Sequence, residues 1–265
     1  MNGCVKIGNT DMYYAAFGKR EKKLVVIPGL SDALATVKGK AALLKGPYKK
    51  FLKDYTVYMF SRKNDMPEGY SIRDMAADQV TAMRLLHIEK ASILGVSQGG
   101  MISQYIAIDY PEVVEKLVLA VTAPYANEVV RNSVSTWIDM AKKDDYTAFF
   151  ADSAERTYTE KYLAKNRKYF PLMAKLTKPA SYERFYRNAY AILDCDVRNE
   201  LNKIKAPTLI LAGDQDLTVG NDAPYELNQG IEGSEVYIYN GLGHGLFDEA
   251  KDFYSRVFEF INEGK

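Results

Sequence analysis

Short apolar segments alternate with helical patterns along the first 124 residues of this chain. The segment at 24–27 is apolar throughout, which is typical of a strand buried on both faces of a parallel sheet. Strands that alternate with helices fold through right-handed crossovers, so that helices cover both faces of the sheet. We therefore expect an α/β fold built on a mostly parallel sheet. The predicted strands are 5–7, 12–17, 24–27, 56–60, 91–95, 116–120, 208–212 and 235–239.

The alternation stops between residues 125 and 199, where the pattern is helical and rich in tyrosine, phenylalanine, lysine and arginine. It resumes with the strand at 208–212. We predict a core domain formed by 1–124 and 200–265, with 125–199 as a helical insertion that lies over the carboxyl ends of the strands, where α/β sheets bind ligands. Two core helices are predicted at 71–86 and 247–261, and the first begins with a capping-box pattern.

The charge balance and composition narrow the class of protein. The chain has 35 basic and 34 acidic residues, a net charge of +1, which gives no electrostatic basis for nucleic-acid binding. No apolar run is long enough to span a membrane, and the first residues lack the apolar core of a signal peptide. The two cysteines, Cys4 and Cys195, indicate free thiols in a reducing compartment. We expect a cytoplasmic protein that acts on a small molecule, without a nucleic-acid or membrane partner.

The most specific motif is Gly-Val-Ser-Gln-Gly at positions 95–99, centred on Ser97. Its G-x-S-x-G spacing is typical of a tight turn between a strand and a helix that exposes a nucleophilic serine. Glycines flank the serine because such a turn packs too closely for a Cβ. An apolar strand precedes the motif, and a helical pattern follows it as far as Pro111, which is the context that the motif requires. The alternative is a glycine-rich turn without chemistry.

A serine hydroxyl needs a base, usually histidine, before it can act as a nucleophile. The chain has two histidines. His244 lies among three glycines in a loop after the last predicted strand, which favours a functional role over a solvated turn. His87 ends a predicted helix, where a cationic side chain is favoured by the helix dipole, so we interpret it as structural.

The base needs a carboxylate that orients it, and two aspartates are candidates. Asp214 and Asp216 both follow the strand at 208–212, at the same edge of the sheet as Ser97. The order Ser97, Asp216, His244 is the order of nucleophile, acid and base in one known layout. Asp214 could serve instead, and either could be a plain turn residue.

Two further predictions concern backbone donors and a cation. The N–H of Gln98, directly after the serine, is the first candidate donor of an oxyanion hole, and the N–H of Leu30, after the strand at 24–27, is the second. Pro28 in the same loop has no N–H to donate. Arg62 follows the strand at 56–60 on the same edge, and we expect that it could meet a carboxylate of the substrate.

These segments together resemble the α/β-hydrolase superfamily over nearly the whole chain. The resemblance implies that Asp216 occupies the acid position and that the helical insertion is a cap that shapes the substrate pocket. It implies no metal and no organic cofactor. The segments that carry it are the oxyanion-loop strand 25–30, the elbow 91–101, the acid strand and loop 204–216 and the histidine loop 241–247.

The resemblance implies a serine hydrolase that cleaves a small carboxylic ester through an acyl-enzyme. Ser97 would be the nucleophile and His244 the base, while Asp216 holds the imidazole. The N–H groups of Leu30 and Gln98 would bind the oxyanion.

The chain also departs from the family pattern. Many relatives carry a histidine at the position of Pro28, so no single subgroup is matched. A serine nucleophile argues against the dehalogenase and epoxide-hydrolase branches, which use a carboxylate. Two alternatives stay open, since a fold does not imply a function. One is other serine-dependent chemistry (a C–C hydrolase, a perhydrolase or haloperoxidase, or a lyase), and the other is a hydrolase-like ligand-binding protein with little turnover.

Overall fold

An eight-stranded sheet forms the centre of the computed structural model, which describes residues 1–263. In chain order the strands β1 to β8 are Asn2–Ile7, Thr10–Phe17, Lys22–Ile27, Tyr55–Phe60, Ala91–Val96, Val114–Ala120, Thr208–Gly213 and Glu235–Tyr239. Across the sheet they are ordered β1-β2-β4-β3-β5-β6-β7-β8. Strand β2 is antiparallel to β1 and β4, and the other neighbours are parallel. The prediction of a mostly parallel sheet is confirmed.

Helices cover both faces of the sheet. Within residues 1–263 the α-helices α1 to α11 are Ala41–Leu44, Ile72–Leu85, Gln98–Asp109, Glu128–Lys142, Tyr146–Thr157, Glu160–Asn166, Phe170–Thr177, Glu183–Leu193, Ala223–Gly230, Leu246–Glu249 and Phe253–Asn262. Alternate residues of β3 point to opposite faces. Val25 and Ile27 pack in one buried cluster with α2 and α3, whereas Leu24 and Val26 pack in a second cluster with α11.

Local sequence patterns correctly predicted the first two strands and the start of α2. The first two predicted strands pair as an antiparallel hairpin, and each is longer than predicted. Helix α2 begins with the predicted capping box, in which the Ser71 hydroxyl accepts from the Asp74 N–H at 3.1 Å. In return, the Asp74 carboxylate accepts from the Ser71 N–H at 2.9 Å.

The segment between β6 and β7 is helical, as predicted. Helices α4 to α8 occupy it, and the only extended pairing there, within the part of the chain that is described, is an isolated bridge between Tyr125 and Asp196. The domain limits at 125 and 199 stay a prediction. Residues 264–265 of the predicted core segment 200–265 lie outside the described residues. Among residues 1–263, none of the helices combines the length and apolarity that a bilayer crossing needs.

The last predicted helix, 247–261, is wrong as a single element. It divides into α10 and α11, because Ala250 adopts an extended conformation (φ −80°, ψ 119°). A tertiary contact holds α10 in place, since the Glu249 carboxylate accepts from the Thr159 N–H at 3.1 Å across the boundary with the insertion. Helix α9 was not anticipated, and the short helix α1 was not either.

Candidate active site

Ser97 lies between β5 and α3 in a strained backbone conformation, with φ 55° and ψ −121°. A positive φ is rare in residues other than glycine. A Cβ on Gly95 would come within 2.6 Å of the Gly99 carbonyl oxygen. A Cβ on Gly99 would lie 2.7 Å from the Pro28 carbonyl oxygen and would also collide with the Ile27 carbonyl. The two flanking glycines of the motif are therefore required sterically.

Hydrogen bonds at both the N–H and the carbonyl of Ser97 hold this backbone. The Ser97 N–H donates to the Ala120 carbonyl at 2.9 Å. The Ser97 carbonyl accepts from the Thr122 hydroxyl at 2.7 Å and from the Gly100 N–H at 2.8 Å. The end of β6 thus fixes the direction in which the serine hydroxyl points.

The serine, histidine and aspartate predicted from the sequence are in hydrogen-bond contact. His244 Nε2 lies 3.0 Å from Ser97 Oγ, and His244 Nδ1 lies 2.8 Å from Asp216 Oδ2. The other oxygen of Asp216 accepts from the N–H groups of Thr218 at 2.8 Å and Val219 at 3.0 Å. A carboxylate can only accept, so the proton of a neutral imidazole belongs on Nδ1, which leaves Nε2 free to accept from the serine hydroxyl.

The other two candidates lie elsewhere. The Asp214 carboxylate accepts from the Gly241 N–H at 2.7 Å and so links the loop after β7 to the loop after β8. The carboxylate that contacts His244 is that of Asp216. His87 is exposed after α2, with φ 55°, and its N–H donates to the Arg84 carbonyl at 3.0 Å. Of the two aspartates, the one that contacts the histidine is Asp216.

Two backbone N–H groups close to Ser97 have no acceptor among residues 1–263. One is the N–H of Leu30, which begins the 3₁₀ turn Leu30–Ala33, and the other is the N–H of Gln98, which begins α3. The Leu30 loop lies against the serine, since a Cβ built on Gly29 would be 3.2 Å from Ser97 Cβ. Free N–H groups at a helix start are suited to a negatively charged oxygen.

A cavity of about 430 Å³ opens onto Ser97 and His244. Helices α4 and α5 of the insertion form one wall, largely with aromatic rings. None of the described residues that line the cavity is a lysine or an arginine, and Asp248 is the one carboxylate among them. Asp248 is exposed at the mouth of the cavity, but partial desolvation of its carboxyl group raises its pKa, while the Tyr158 hydroxyl, which donates to this carboxylate at 3.0 Å, opposes the rise. The aromatic lining residues are Trp137, Tyr146, Phe149, Phe150, Tyr158 and Phe247.

Comparison with known proteins assigns the family. A family model described as the alpha/beta hydrolase fold matches residues 51–251, which is more than half of the chain. This chain belongs to the α/β-hydrolase family. The family prediction made from the sequence is therefore confirmed.

Individual relatives agree with the family. The AB hydrolase superfamily protein YisY of Bacillus subtilis is 31% identical over 211 residues, which cover 76% of this α/β-hydrolase and 77% of the relative. The 3-oxoadipate enol-lactonase 2 of Acinetobacter baylyi is 24% identical, with 77% of this chain and 75% of the relative covered. Among solved structures, MGS-M2, an α/β-hydrolase enzyme from a deep-sea metagenome library of the Medee basin, superposes with a TM-score of 0.88. Its sequence identity is 19% over 99% of this chain and 98% of that chain, so it supports the fold alone.

Arg62 does not line the substrate cavity of this α/β-hydrolase, although its position after β4 predicts that it could. Its side chain is 1% exposed and is not part of the cavity lining. Its guanidinium is engaged by protein groups, because Nη2 donates to Gln98 Oε1 at 2.7 Å and Nη1 lies 3.6 Å from Asp32 Oδ2. A carboxylate of a substrate in the cavity would not reach it, and the expectation is corrected.

Sequence reasoning also missed residues that the site depends on. Asp32, two residues after Leu30, is buried and contacts Arg62. Its position in the loop after β3, at the carboxyl edge of the sheet, was the sequence feature that could have identified it. The aromatic composition of the insertion suggests a partly aromatic pocket, but it could not identify the wall from α4 and α5, because aromatic residues at helical spacing more often pack a helix against its neighbours. In the described part of the chain, no three His, Cys, Asp or Glu side chains converge as a metal site would require.

Proposed function

We propose that this protein is a serine hydrolase that cleaves a small carboxylic ester through an acyl-enzyme. The observation that carries the proposal is the continuous line of hydrogen bonds from Asp216 through His244 to Ser97 Oγ, beside a cavity that can hold a substrate. An imidazole held in this way can accept the serine proton, and the carboxylate stabilises the resulting charge.

The reaction would proceed in two halves. Ser97 Oγ attacks the ester carbonyl as its proton passes to His244 Nε2, and the N–H groups of Leu30 and Gln98 receive the oxyanion. The intermediate collapses when the imidazolium returns this proton to the leaving alkoxide, which departs as the alcohol. Water, deprotonated by the same imidazole, then attacks the acyl carbonyl. The bond to Ser97 Oγ breaks as the imidazolium returns its proton to that oxygen, and the acid is released. Each oxyanion donor in such a site contributes about 10²–10³-fold to the rate.

The cavity favours an uncharged substrate with an apolar acyl or alcohol group. Its aromatic wall provides dispersion contacts and burial of apolar surface. A substrate carboxylate would find no basic side chain among the described lining residues and would face the carboxylate of Asp248. The enol-lactonase relative acts, by its name, on a lactone, which is a cyclic ester, and ester cleavage by this chain is consistent with that activity.

A matched pair of chromogenic esters tests both parts of the proposal. We expect the purified protein to hydrolyse the p-nitrophenyl ester of monomethyl glutarate at least about tenfold faster, in kcat/KM, than the ester whose far carboxyl group is free. Ser97→Ala should lower kcat by at least about 10³-fold, as loss of a nucleophile does in such sites. An unchanged rate in Ser97→Ala would refute the role of Ser97, and faster cleavage of the charged ester would refute the substrate class.

The same measurement, extended to thioesters, amides and C–C substrates, separates the alternatives. A C–C hydrolase, perhydrolase or lyase would depend on Ser97 but would leave simple esters nearly intact. A ligand-binding protein would be stabilised against heat by the ligand and would release no product. A cytoplasmic location stays a prediction from the composition.

A further inference from the structure

Six polar side chains form a buried, hydrogen-bonded cluster behind the candidate oxyanion site. We call it the Arg62 cluster. Arg62, Gln98 and Asn188 are at most 1% exposed, and Asp32 is 3% exposed. Polar groups are rarely buried at this density unless they fulfil a structural or functional role. The members are Asp32, Ser61, Arg62, Gln98, Arg184 and Asn188.

Asp32 is the centre of one half of the cluster. Its Oδ1 accepts from the Ser61 hydroxyl at 2.6 Å. Its Oδ2 accepts from the Arg62 N–H at 3.0 Å and from Arg184 Nη2 at 2.7 Å. Because Asp32 lies in the 3₁₀ turn that begins with Leu30, these bonds anchor the segment that carries one predicted oxyanion donor.

Gln98 is the centre of the other half. Its side-chain Oε1 accepts from Arg62 Nη2 at 2.7 Å, and its Nε2 donates to Asn188 Oδ1 at 3.1 Å and to the Asn188 carbonyl at 3.2 Å. The N–H of Gln98 is the second predicted oxyanion donor. Both donor segments are therefore connected through Arg62.

Helix α8 of the insertion completes the cluster. Arg184 donates to four oxygens of the core, which are the Asp32 carboxylate, the Asp32 carbonyl, the Arg62 carbonyl at 2.8 Å and the Lys63 carbonyl at 3.4 Å. Asn188, one turn later on the same helix, donates to the Arg184 carbonyl at 2.8 Å and accepts from Gln98. Both α8 residues face the donor segments and lie outside the cavity lining.

Burial of the Arg62 guanidinium costs free energy, and its contacts within the cluster offset part of that cost. Burial lowers the pKa of Arg62 to about 10, against the opposing effect of the Asp32 carboxylate. Arg62 Nε and Nη1 have no hydrogen-bond partner in the described structure. A buried charge with incomplete partners is strongly sensitive to the loss of any one of them.

We propose that the Arg62 cluster positions the two oxyanion donors, so that the docking of α8 sets the rate of the chemical step as well as enclosing the pocket. Arg62, Asp32 and Arg184 are then positioning residues that touch no substrate. The inference rests on the proposed function, because it assigns the N–H groups of Leu30 and Gln98 to the oxyanion. A donor displaced by about 1 Å can cost about 10²-fold in rate.

Arg184 is the best position for a test, since its side chain is 14% exposed and lies at the edge of the cluster. We expect Arg184→Met to lower kcat for a p-nitrophenyl ester about tenfold with KM changed less than about twofold, because the lost interaction acts only in the transition state. Arg184→Lys should recover part of kcat, since it keeps the charge but lacks the planar fork of donors that contacts four oxygens at once. Arg187→Met is the matched control, because Arg187 lies on the same helix and pairs at the surface with Glu68 and Glu183.

Hydrogen–deuterium exchange gives the second readout, and it does not depend on turnover. In Arg184→Met, exchange should rise in peptides that cover 29–34 and 96–100 and stay unchanged in β6 and α11, whereas Arg187→Met should match the wild type. Unchanged kcat, a change in KM alone, or a general rise in exchange would each overturn the proposal. If the wild-type protein cleaved no ester and Ser97 resisted acylation, the proposed function would fail, and the exchange data would still decide whether α8 positions the two segments.

Discussion

The backbone of Ser97 adopts a strained conformation that points its hydroxyl group toward His244. A non-glycine residue at φ 55° costs about 1–3 kcal/mol and persists only when its surroundings hold it. Here the end of β6 holds it through the Ala120 carbonyl and the Thr122 hydroxyl. The flanking glycines allow the elbow to pack against the end of β3. The serine is thereby aimed at His244 before any substrate arrives.

The close packing of Gly99 leads to a stability prediction. We expect Gly99→Ala to lower the free energy of unfolding by about 1–3 kcal/mol or more, because its Cβ would collide with backbone that cannot move away. Urea denaturation followed by circular dichroism measures this loss. Gly46→Ala is the control, since a Cβ there would have nothing within 4 Å, and it should cost nothing measurable. Equal stability of the two variants would contradict the packing argument.

Asp248 leads to a pH prediction. Asp248 is exposed at the mouth of the cavity, but partial desolvation of its carboxyl group raises its pKa in the folded protein. Folding therefore favours the protonated acid, and the stability contribution of this group falls as the pH rises above the pKa of the unfolded chain, about 4. Asp248→Asn has no charge and keeps an acceptor for the Tyr158 hydroxyl. Because water screens a charge at an exposed residue, we expect a rise of less than about 1 kcal/mol in the free energy of unfolding at pH 7, and a gain that shrinks toward pH 4.

The control for this pH prediction removes a carboxylate that lies away from the cavity. Glu21 is exposed, and Glu21→Gln should show no comparable gain at pH 7. Urea titrations of the three proteins between pH 4 and pH 8 supply the comparison. A gain in Asp248→Asn that stayed constant over this range would contradict the assigned cause.

At the scale of elements, the ends of strands decide which side chains meet. Strands β3, β5 and β7 are parallel, so their carboxyl ends lie at one edge of the sheet. The loops that follow these strands deliver Leu30, Ser97 and Asp216 to that edge, and the loop after β8 adds His244. Helix α5 extends the site from the insertion, since it lines the cavity and also packs on α7 through the ring contact of Phe150 with Phe170. The site therefore depends on the placement of whole elements as much as on single contacts.

The capping box of α2 gives a prediction at this scale. Ser71→Ala removes the hydroxyl that accepts from the Asp74 N–H, and we expect a loss of about 1 kcal/mol in the free energy of unfolding. The urea midpoint should fall, while kcat for ester cleavage should not change. Thr81→Ala on the exposed face of the same helix is the control and should be neutral or slightly stabilising. A Ser71→Ala variant as stable as the wild type would show that α2 is held by packing alone.

At the scale of the whole molecule, local sequence patterns predicted the strands of the sheet. They did not predict contacts between residues that are distant in the sequence. Apolar runs of four to six residues were sufficient to place the strands, because periodicity is a property of neighbouring residues. The order of Ser97, Asp216 and His244 along the chain predicted their contact. The Arg184 contact with Asp32 joins residues 152 positions apart, and no periodicity encodes such a pair. The same reason explains why Arg62 was expected in the pocket and why the last helix was predicted as unbroken.

The role of Ser97 as the nucleophile is tested by the site of covalent labelling with a fluorophosphonate, a reagent that activated serines attack. We predict one adduct per wild-type chain, on the tryptic peptide 91–116, localised by fragmentation to Ser97 rather than to Ser92 or Ser103. Ser97→Ala should carry none, and heat-denatured wild-type protein should carry none. An adduct on another residue, or undiminished labelling of Ser97→Ala, would contradict the assignment of Ser97 as the nucleophile.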